Sequence, residues 1–309
     1  MNDWVIGIDG GGSRTRACLA NLRGDTLGTG EAGTSNPLGG GLDAAKRELS
    51  QAVQQAFDAA QIEPQRVAAA CLGLGGAGRS REQEALVTWA REAMADRVRV
   101  VNDGEIALAA ATSENWGVAL IAGTGSLAWG RNRAGQTARA SGWGYILGDE
   151  GSGFDLARRA LRAIMQAADG RAEPTELRDA VLRFMNLSSP TELVTSIYGQ
   201  PSKPAEIARL APLVIEVAGQ GDRVAQRLVQ QAGESLAQAV DAVSRALGMT
   251  QSIPLALTGG LLLGAPLLRA HVIDALGAHG CEYTPVTLVD QPVLGGVRLA
   301  RELALQESI

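Results

Sequence analysis

Cysteine is scarce and scattered. Cys18, Cys71 and Cys281 lie far apart, with no Cys-x-x-Cys and no disulfide-type spacing. That pattern excludes a disulfide-stapled scaffold and points to a reducing cytoplasm. Only two histidines occur, His271 and His279, both in one apparent late helix where they read as surface residues. Neither a His-based triad nor a zinc site is expected from such a pair. No apolar run is long enough to span a bilayer, and none opens the chain as a signal peptide would. Positive charge is also short: 28 Lys and Arg stand against 33 Asp and Glu, a net charge of −5. A nucleic-acid binder is expected to carry the opposite balance. What remains is a chain of 309 residues, 46% hydrophobic, enough for about two domains at roughly 150 residues each.

Glycine, by contrast, is abundant at 39 residues, and it clusters at the ends of apolar runs: 10–12, 39–41, 73–78, 123–125, 142–153 and 259–264. Glycine at a strand end lets backbone turn sharply or approach a ligand closely. The clusters together suggest one glycine-walled cleft.

The first cluster sits in "VIGIDGGGSRTRACL", residues 5–19. The Gly-Lys-Ser/Thr of a Walker A loop is missing, so no lysine reaches a terminal phosphate. The surrounding pattern reads strand ("WVIGID"), strand ("TRACLANL"), then a third strand in "TLGTGEA". A helix over 43–60 follows, with Asp43 as its candidate N-cap. A strand in "RVAAACLGL", a helix in "REQEALVTWAREAM", a strand in "RVRVVND" and a helix from "GEIALAAAT" complete a β-β-β-α-β-α-β-α order.

Then the pattern restarts. "GVALIAGTGSLAWGRN" is again strand, glycine turn, strand, and Gly123, Gly125 and Ser126 stand 113 residues after Gly10, Gly12 and Ser13. This weak internal duplication implies two similar halves, each opening with a hairpin. Further on come a helix over about 154–168 and a helix-rich section over 175–247 broken at 199–204. The strand "IPLALT", a helix in "APLLRAHVIDALGAHG", a strand in "TPVTLVD" and a closing helix complete the chain.

Two hairpin turns facing each other can offer backbone N–H groups to a polyphosphate without any lysine. Gly10 to Gly12 let the backbone approach, Ser13 adds a hydroxyl, and Asp9 at the strand end is placed to hold Mg2+, a cation that prefers carboxylate and keeps its water. The turn therefore reads as one jaw of a clamp for MgATP. A tight β-turn with a solvated aspartate would carry the same residues.

The ordered set "GIDGGGSRT", "IAGTGS", "SGWGYILGDEGSG" (141–153) and "LTGGLL" resembles the actin-like, hexokinase-like ATPase superfamily. Within it the chain is similar to the N-acetylglucosamine kinase branch of the BadF/BadG/BcrA/BcrD ATPase family, over nearly its whole length. That resemblance implies an α/β fold of two RNase H-like domains with a central cleft, residues 1–115 and 116–292, and a closing helix at about 293–309 packing back on the first. It implies ATP phosphates held by Gly10, Gly11, Gly12, Ser13, Thr15, Gly123, Thr124 and Gly125. It implies adenosine near Ala218, Gly259, Gly260 and Leu263, and Asp9 as the metal residue. It also implies an amino sugar, N-acetylglucosamine or glucosamine, bound by Asn36, Asp103, Gly142, Trp143, Gly144 and Asp149 and phosphorylated at its 6-hydroxyl, with Asp103 as the base. A cytoplasmic homodimer without nucleic-acid or membrane partners goes with it.

Each of these residues has a plainer reading. Asp103 could be a helix N-cap, Trp143 a core side chain, Asn36 a turn residue before proline, and Gly259–Gly260 a helix-start turn. In "LGLGGAG" the positions facing the sugar would be Gly75, Gly76 and Ala77, with no side-chain hydroxyl among them. Gly73, Gly75 and Gly78 also spell G-x-G-x-x-G between a strand and a helix, the dinucleotide fingerprint. That unit is not the first of the chain, however, and it leaves the paired hairpins and the "GDEGSG" loop unexplained. Two other functions stay in view. One is an ATPase activator of a reductase or dehydratase, which needs cysteine thiolates converging on an iron–sulfur cluster. The other is a sugar sensor without chemistry.

Overall fold

The computed structural model describes residues 3–76, 80–199, 204–278 and 280–306. Ala77, Gly78 and His279 of the sequence reading, residues 200–203 of the helix break and the last three residues of the closing helix lie outside them. In chain order the elements are β1 (Trp4–Gly10), β2 (Thr15–Asn21), β3 (Thr26–Ala32), α1 (Pro37–Gly40), α2 (Leu42–Ala60), β4 (Val67–Leu74), α3 (Ser80–Ala93), β5 (Ala95–Val101) and α4 (Asp103–Ala111). The second half runs β6 (Gly117–Ala122), β7 (Ser126–Arg131), β8 (Thr137–Ser141), α5 (Gly153–Ala168), α6 (Leu177–Met185), α7 (Pro190–Tyr198), α8 (Pro204–Ala208), α9 (Ala211–Gly219) and α10 (Arg223–Ala246). It closes with β9 (Ile253–Thr258), α11 (Gly260–Gly264), α12 (Pro266–Gly277), β10 (Tyr283–Leu288) and α13 (Val293–Leu305). No helix among the described residues is long and apolar enough to cross a membrane.

Two five-stranded sheets result, with strand orders β3-β2-β1-β4-β5 and β10-β9-β6-β7-β8. Read from opposite ends they are the same sheet: an antiparallel three-strand meander, then two parallel strands on its inner edge. The counterpart of β3 in the second half is β8, a strand the sequence reading leaves out. "TARAS" is short, polar and on a sheet edge, so it lacks the apolar run that marked the other strands.

The helices cross between the halves. One face of the second sheet, carrying Val118, Leu120, Ala128, Leu255 and Leu257, is covered by the helices of its own half. Its other face, with Ala119, Leu127, Trp129 and Ala256, packs on Ala107 and Leu108 of α4. The closing helix α13 makes the return crossing. Val293, Val297 and Ala300 pack on Val5, Cys18, Ala69 and Cys71 of the first sheet. Arginines pin α13 there: Arg298 donates to Ala109, Thr112 and Ser113 carbonyls at the end of α4, and Arg301 to Leu22 O at 2.9 Å.

Many of the glycines do something other than wall a cleft. A side chain at Gly7 would run into the α13 backbone, one at Gly28 or Gly30 into α2, and one at Gly295 into α4. The first three are helix-on-sheet contacts and the last a helix-on-helix contact, all too close for a Cβ. Helix α2 starts on Gly41, whose φ of 81° suits glycine, so Asp43 stands in the first turn rather than at the cap. His271 is half-buried where α12 meets Gly233 of α10 rather than free on the surface.

Candidate active site

The first hairpin joins Gly10 to Thr15 across its base. Gly11 N–H donates to Arg14 O at 3.0 Å, leaving Gly12, Ser13 and Arg14 exposed at the tip. Its stem is knitted to neighbours: Gly75 N–H donates to Gly10 O at 2.8 Å, and the Thr34 hydroxyl to Gly11 O at 2.9 Å. A methyl at Gly10 would overlap Ser35 Oγ and Leu74 Cδ2. Thr15 departs from the sequence expectation. It begins β2 with its side chain turned inward, fully buried, its hydroxyl donating to Gly33 O at 2.7 Å, so that hydroxyl is not presented to a phosphate.

The second hairpin repeats the arrangement. Gly123 N–H donates to Gly125 O at 2.9 Å, Gly153 N–H to Gly123 O at 2.8 Å, and Phe154 N–H to Thr124 O at 3.2 Å. The start of α5 is thus docked on the turn. The two tips touch: Ser13 Oγ and Thr124 Oγ1 share a hydrogen bond of 2.9 Å across the cleft. Gly259 lies against Ala122, and Gly260 N sits 3.7 Å from where a Gly123 Cβ would be. The third glycine motif therefore adjoins the second hairpin. Leu263 is half-buried in α11, with its N–H on Gly259 O at 2.9 Å. Ala218 does not join them. It is 1% exposed in the core of the second half and offers no side-chain surface to a ligand.

Three carboxylates converge below the tips. Asp9 ends β1, and burial lifts its pKa to about 6, an effect that the charges of Arg16 and Arg14 only partly offset. Asp103 opens α4, but the cap of that helix is Asn102, whose side chain accepts Gly104 N–H at 2.8 Å. The N-cap is thus Asn102 and not Asp103, although Asp103 Oδ1 accepts the same Gly104 N–H at 3.1 Å. Asp103 is pushed up to about 7, first by burial, then by the charge of Asp9, with Asp149 a smaller contributor. Asp149 is itself buried and raised, held in the left-handed region at φ 58°, with Gly144 N–H on its Oδ1 at 3.2 Å. Its Oδ2 lies 2.6 Å from where a Gly125 side chain would begin, which ties the loop to the second hairpin.

Glycines clear the space around these groups. A Cβ at Gly75 would stand 3.2 Å from Asp103 Oδ2, and one at Gly76 (φ 80°) 2.6 Å from Asn36 Oδ1. Asn36, Asp103 and the first hairpin are thereby brought to one wall. Gly73 is a glycine because Ile106 of α4 packs on it, a reason unrelated to a dinucleotide. Trp143 is not core: it is 62% exposed, between Gly142 (φ 70°) and Gly144 (φ 89°), with the Arg139 guanidinium 4.3 Å over its ring. Sequence reasoning missed Asn102, Thr34 and Arg139. "VVND" offered two cap residues in a row, and the duplication called for a third strand at 137–141, where Arg139 lies.

Two duplicated α/β halves, two glycine hairpins tip to tip and carboxylates beneath them define a two-lobed ATPase-type fold. The chain belongs to the BadF/BadG/BcrA/BcrD ATPase family, which it matches over residues 6–295. It is 32% identical to an N-acetylmuramic acid/N-acetylglucosamine kinase of Clostridium acetobutylicum, over 96% of this chain and 98% of that one. It is 29% identical to an N-acetyl-D-glucosamine kinase of Dictyostelium discoideum, over 82% of this chain and 84% of that one. Its structure superposes on the crystal structure of a protein described as a putative N-acetylglucosamine kinase from Chromobacterium violaceum with a TM-score of 0.79, at 30% identity, covering 97% of this chain and 99% of that one.

Proposed function

We propose that the protein is an ATP-dependent amino-sugar kinase, with N-acetylglucosamine as its first substrate and the 6-hydroxyl as acceptor. The observation that carries this reading is Asp103: a buried carboxylate one residue inside the Asn102 cap, its Oδ1 on Gly104 N–H at 3.1 Å, its Oδ2 facing Gly75 beside the first hairpin, and its pKa lifted to about 7 by burial and the charge of Asp9. A base poised near neutrality is what proton removal from a sugar hydroxyl requires. The kinases at 32% and 29% identity support the same class.

In this reading the amides of Gly12 and Ser13 and those of Thr124 and Gly125 receive the ATP phosphates, while the Gly123 amide closes its own turn on Gly125 O. Gly259, Gly260 and Leu263 flank the adenosine. The residues fit Mg2+ at Asp9: its carboxylate accepts no hydrogen bond among the described residues, and two arginines leave it short of positive charge. Mg2+ held there supplies neutralisation of phosphate charge. The sugar lies between Asn36, Asp103, Asp149 and the exposed ring of Trp143. Asp103 accepts the proton as the hydroxyl oxygen attacks the γ-phosphorus and ADP departs. Closure of the halves keeps water from competing as acceptor.

The activator reading needs thiolates at a surface between two copies. Cys18 and Cys71 instead lie in the core under α13, and burial pushes Cys71 up to about 12. A cytoplasmic homodimer accompanies the kinase reading. The test is ADP release from MgATP with N-acetylglucosamine, glucosamine, N-acetylmannosamine, glucose and no sugar. Turnover should depend on an amino sugar. ADP release indifferent to sugar, or none at all, would sink the proposal.

A further inference from the structure

The substrate end of the cleft carries a positive charge that the kinase reading leaves unused. Arg139 lies on β8 opposite Trp129 of β7. Directly opposed residues of an antiparallel pair project to the same face, with Cβ atoms about 5 Å apart. That face is the one packed on α4: Trp129 is buried there, and its Cβ sits 2.5 Å from where a Gly104 side chain would begin. Gly104 follows Asp103 in the chain. Arg139 is therefore one cross-strand neighbour from the start of α4, on the cleft side of the second sheet.

Its guanidinium stacks on the ring of Trp143 at 4.3 Å, in the loop whose Gly144 N–H holds Asp149. Arg139 is exposed and makes no ion pair among the described residues. Stacking occupies the face of a guanidinium and leaves its N–H edge free, and that edge fits a carboxylate bidentately. A neutral amino sugar offers that edge only single hydroxyl or carbonyl oxygens. An amino sugar bearing a carboxylate on an ether arm satisfies that edge bidentately, the arm reaching β8, one strand further out than the Trp129 that packs on α4.

We infer that Arg139, braced on Trp143, is a specificity residue that lets the site accept a carboxylate-bearing amino sugar alongside the neutral one. This rests on the kinase reading. The chemistry matches the acid named for one relative, but the assignment to Arg139 comes from the register and the stacking.

The experiment compares kcat/KM for N-acetylmuramic acid and for N-acetylglucosamine in wild type, Arg139→Gln and Arg139→Lys. The acid-to-neutral ratio should fall about tenfold in Arg139→Gln, recover in part in Arg139→Lys, and decline with added salt in the wild type, since the charge is exposed. A ratio unchanged in Arg139→Gln overturns the inference. So does an effect confined to inhibition by the phosphorylated product, which would mean that Arg139 reads a phosphate. If neither sugar is phosphorylated by the wild type, the kinase reading fails on its own. Calorimetric binding of N-acetylmuramic acid to wild type and Arg139→Gln then decides on Arg139: tighter binding to the wild type upholds the contact, and equal or absent binding overturns it.

Discussion

The two hairpins have the same backbone and different chemistry. In each, a glycine carbonyl where the first strand meets the turn accepts a glycine N–H from elsewhere: Gly75 on Gly10, and Gly153 on Gly123. In each, the turn is three or four residues and ends in a second antiparallel strand. Yet the first strand carries Asp9, one residue before its end, where the counterpart 113 residues on is the buried apolar Ala122. The first turn carries Arg14, while the second carries Thr124 and rests on the N-terminus of α5. In the kinase reading a duplicated scaffold is divided between roles. One copy brings the carboxylate that fits a cation and, through α4, Asp103. The other brings uncharged backbone donors, the glycine motif at 259–260 and the Asp149 loop.

That division can be broken on purpose. The largest effect is expected from Asp9→Asn, which removes the carboxylate that the second copy lacks. Turnover should drop about 10²-fold, the equivalent of ~2–3 kcal/mol of lost electrostatic stabilisation, and the Mg2+ needed for half-maximal rate should rise. Rates within twofold of wild type would remove Asp9 from the account. Next comes a pair of matched glycine changes. Gly10→Ala must push Ser35 and Leu74 aside and should lower unfolding stability by about 1–3 kcal/mol. Gly123→Ala meets nothing nearer than Gly260 N at 3.7 Å and should change stability by less than about 0.5 kcal/mol. Denaturant melts of both would show whether the first hairpin is the more tightly packed. The smallest effect belongs to the bridge between the tips. A double-mutant cycle on Ser13→Ala and Thr124→Val should give a coupling of about 0.5 kcal/mol, as befits a partly exposed hydrogen bond. Zero coupling would mean that the hydroxyls do not hold the tips together without nucleotide.

Much of this was legible in the residues. Strand–glycine–strand recurred at a fixed offset, so the duplication and the pairing of hairpins could be read before any coordinates. Asp9, Asp103 and Asp149 each stood at the end of a strand or in a glycine loop, where α/β folds gather ligands. What was not legible depended on contacts between distant segments. Nothing local says that Gly7 and Gly295 are small because a helix from the far end of the chain crosses them, or that Ala218 is sealed in a core. Thr15 looked like part of the phosphate loop, but strand alternation turned it inward. The choice between Asn102 and Asp103 as cap is a matter of one residue of register, finer than propensity resolves. Edge strand β8 was hidden by its polarity, and with it the position of Arg139.

In the kinase reading Asp103 is a buried carboxylate kept for chemistry at a cost to the fold. Its folded pKa of about 7 stands above the unfolded value of about 3.9. The stability tied to this group is therefore fully present below about pH 4 and is lost as pH rises through about 7, with a ceiling of ~4 kcal/mol at ~1.4 kcal/mol per unit. The direct measurement is turnover and melting of nucleotide-free wild type and Asp103→Asn side by side at pH 8 and pH 5. The account requires a variant without sugar-dependent turnover that melts above wild type at pH 8, with the gap narrowing at pH 5. A variant that melts below wild type at pH 8, or that still phosphorylates sugar, would show Asp103 to be a structural residue and contradict the account.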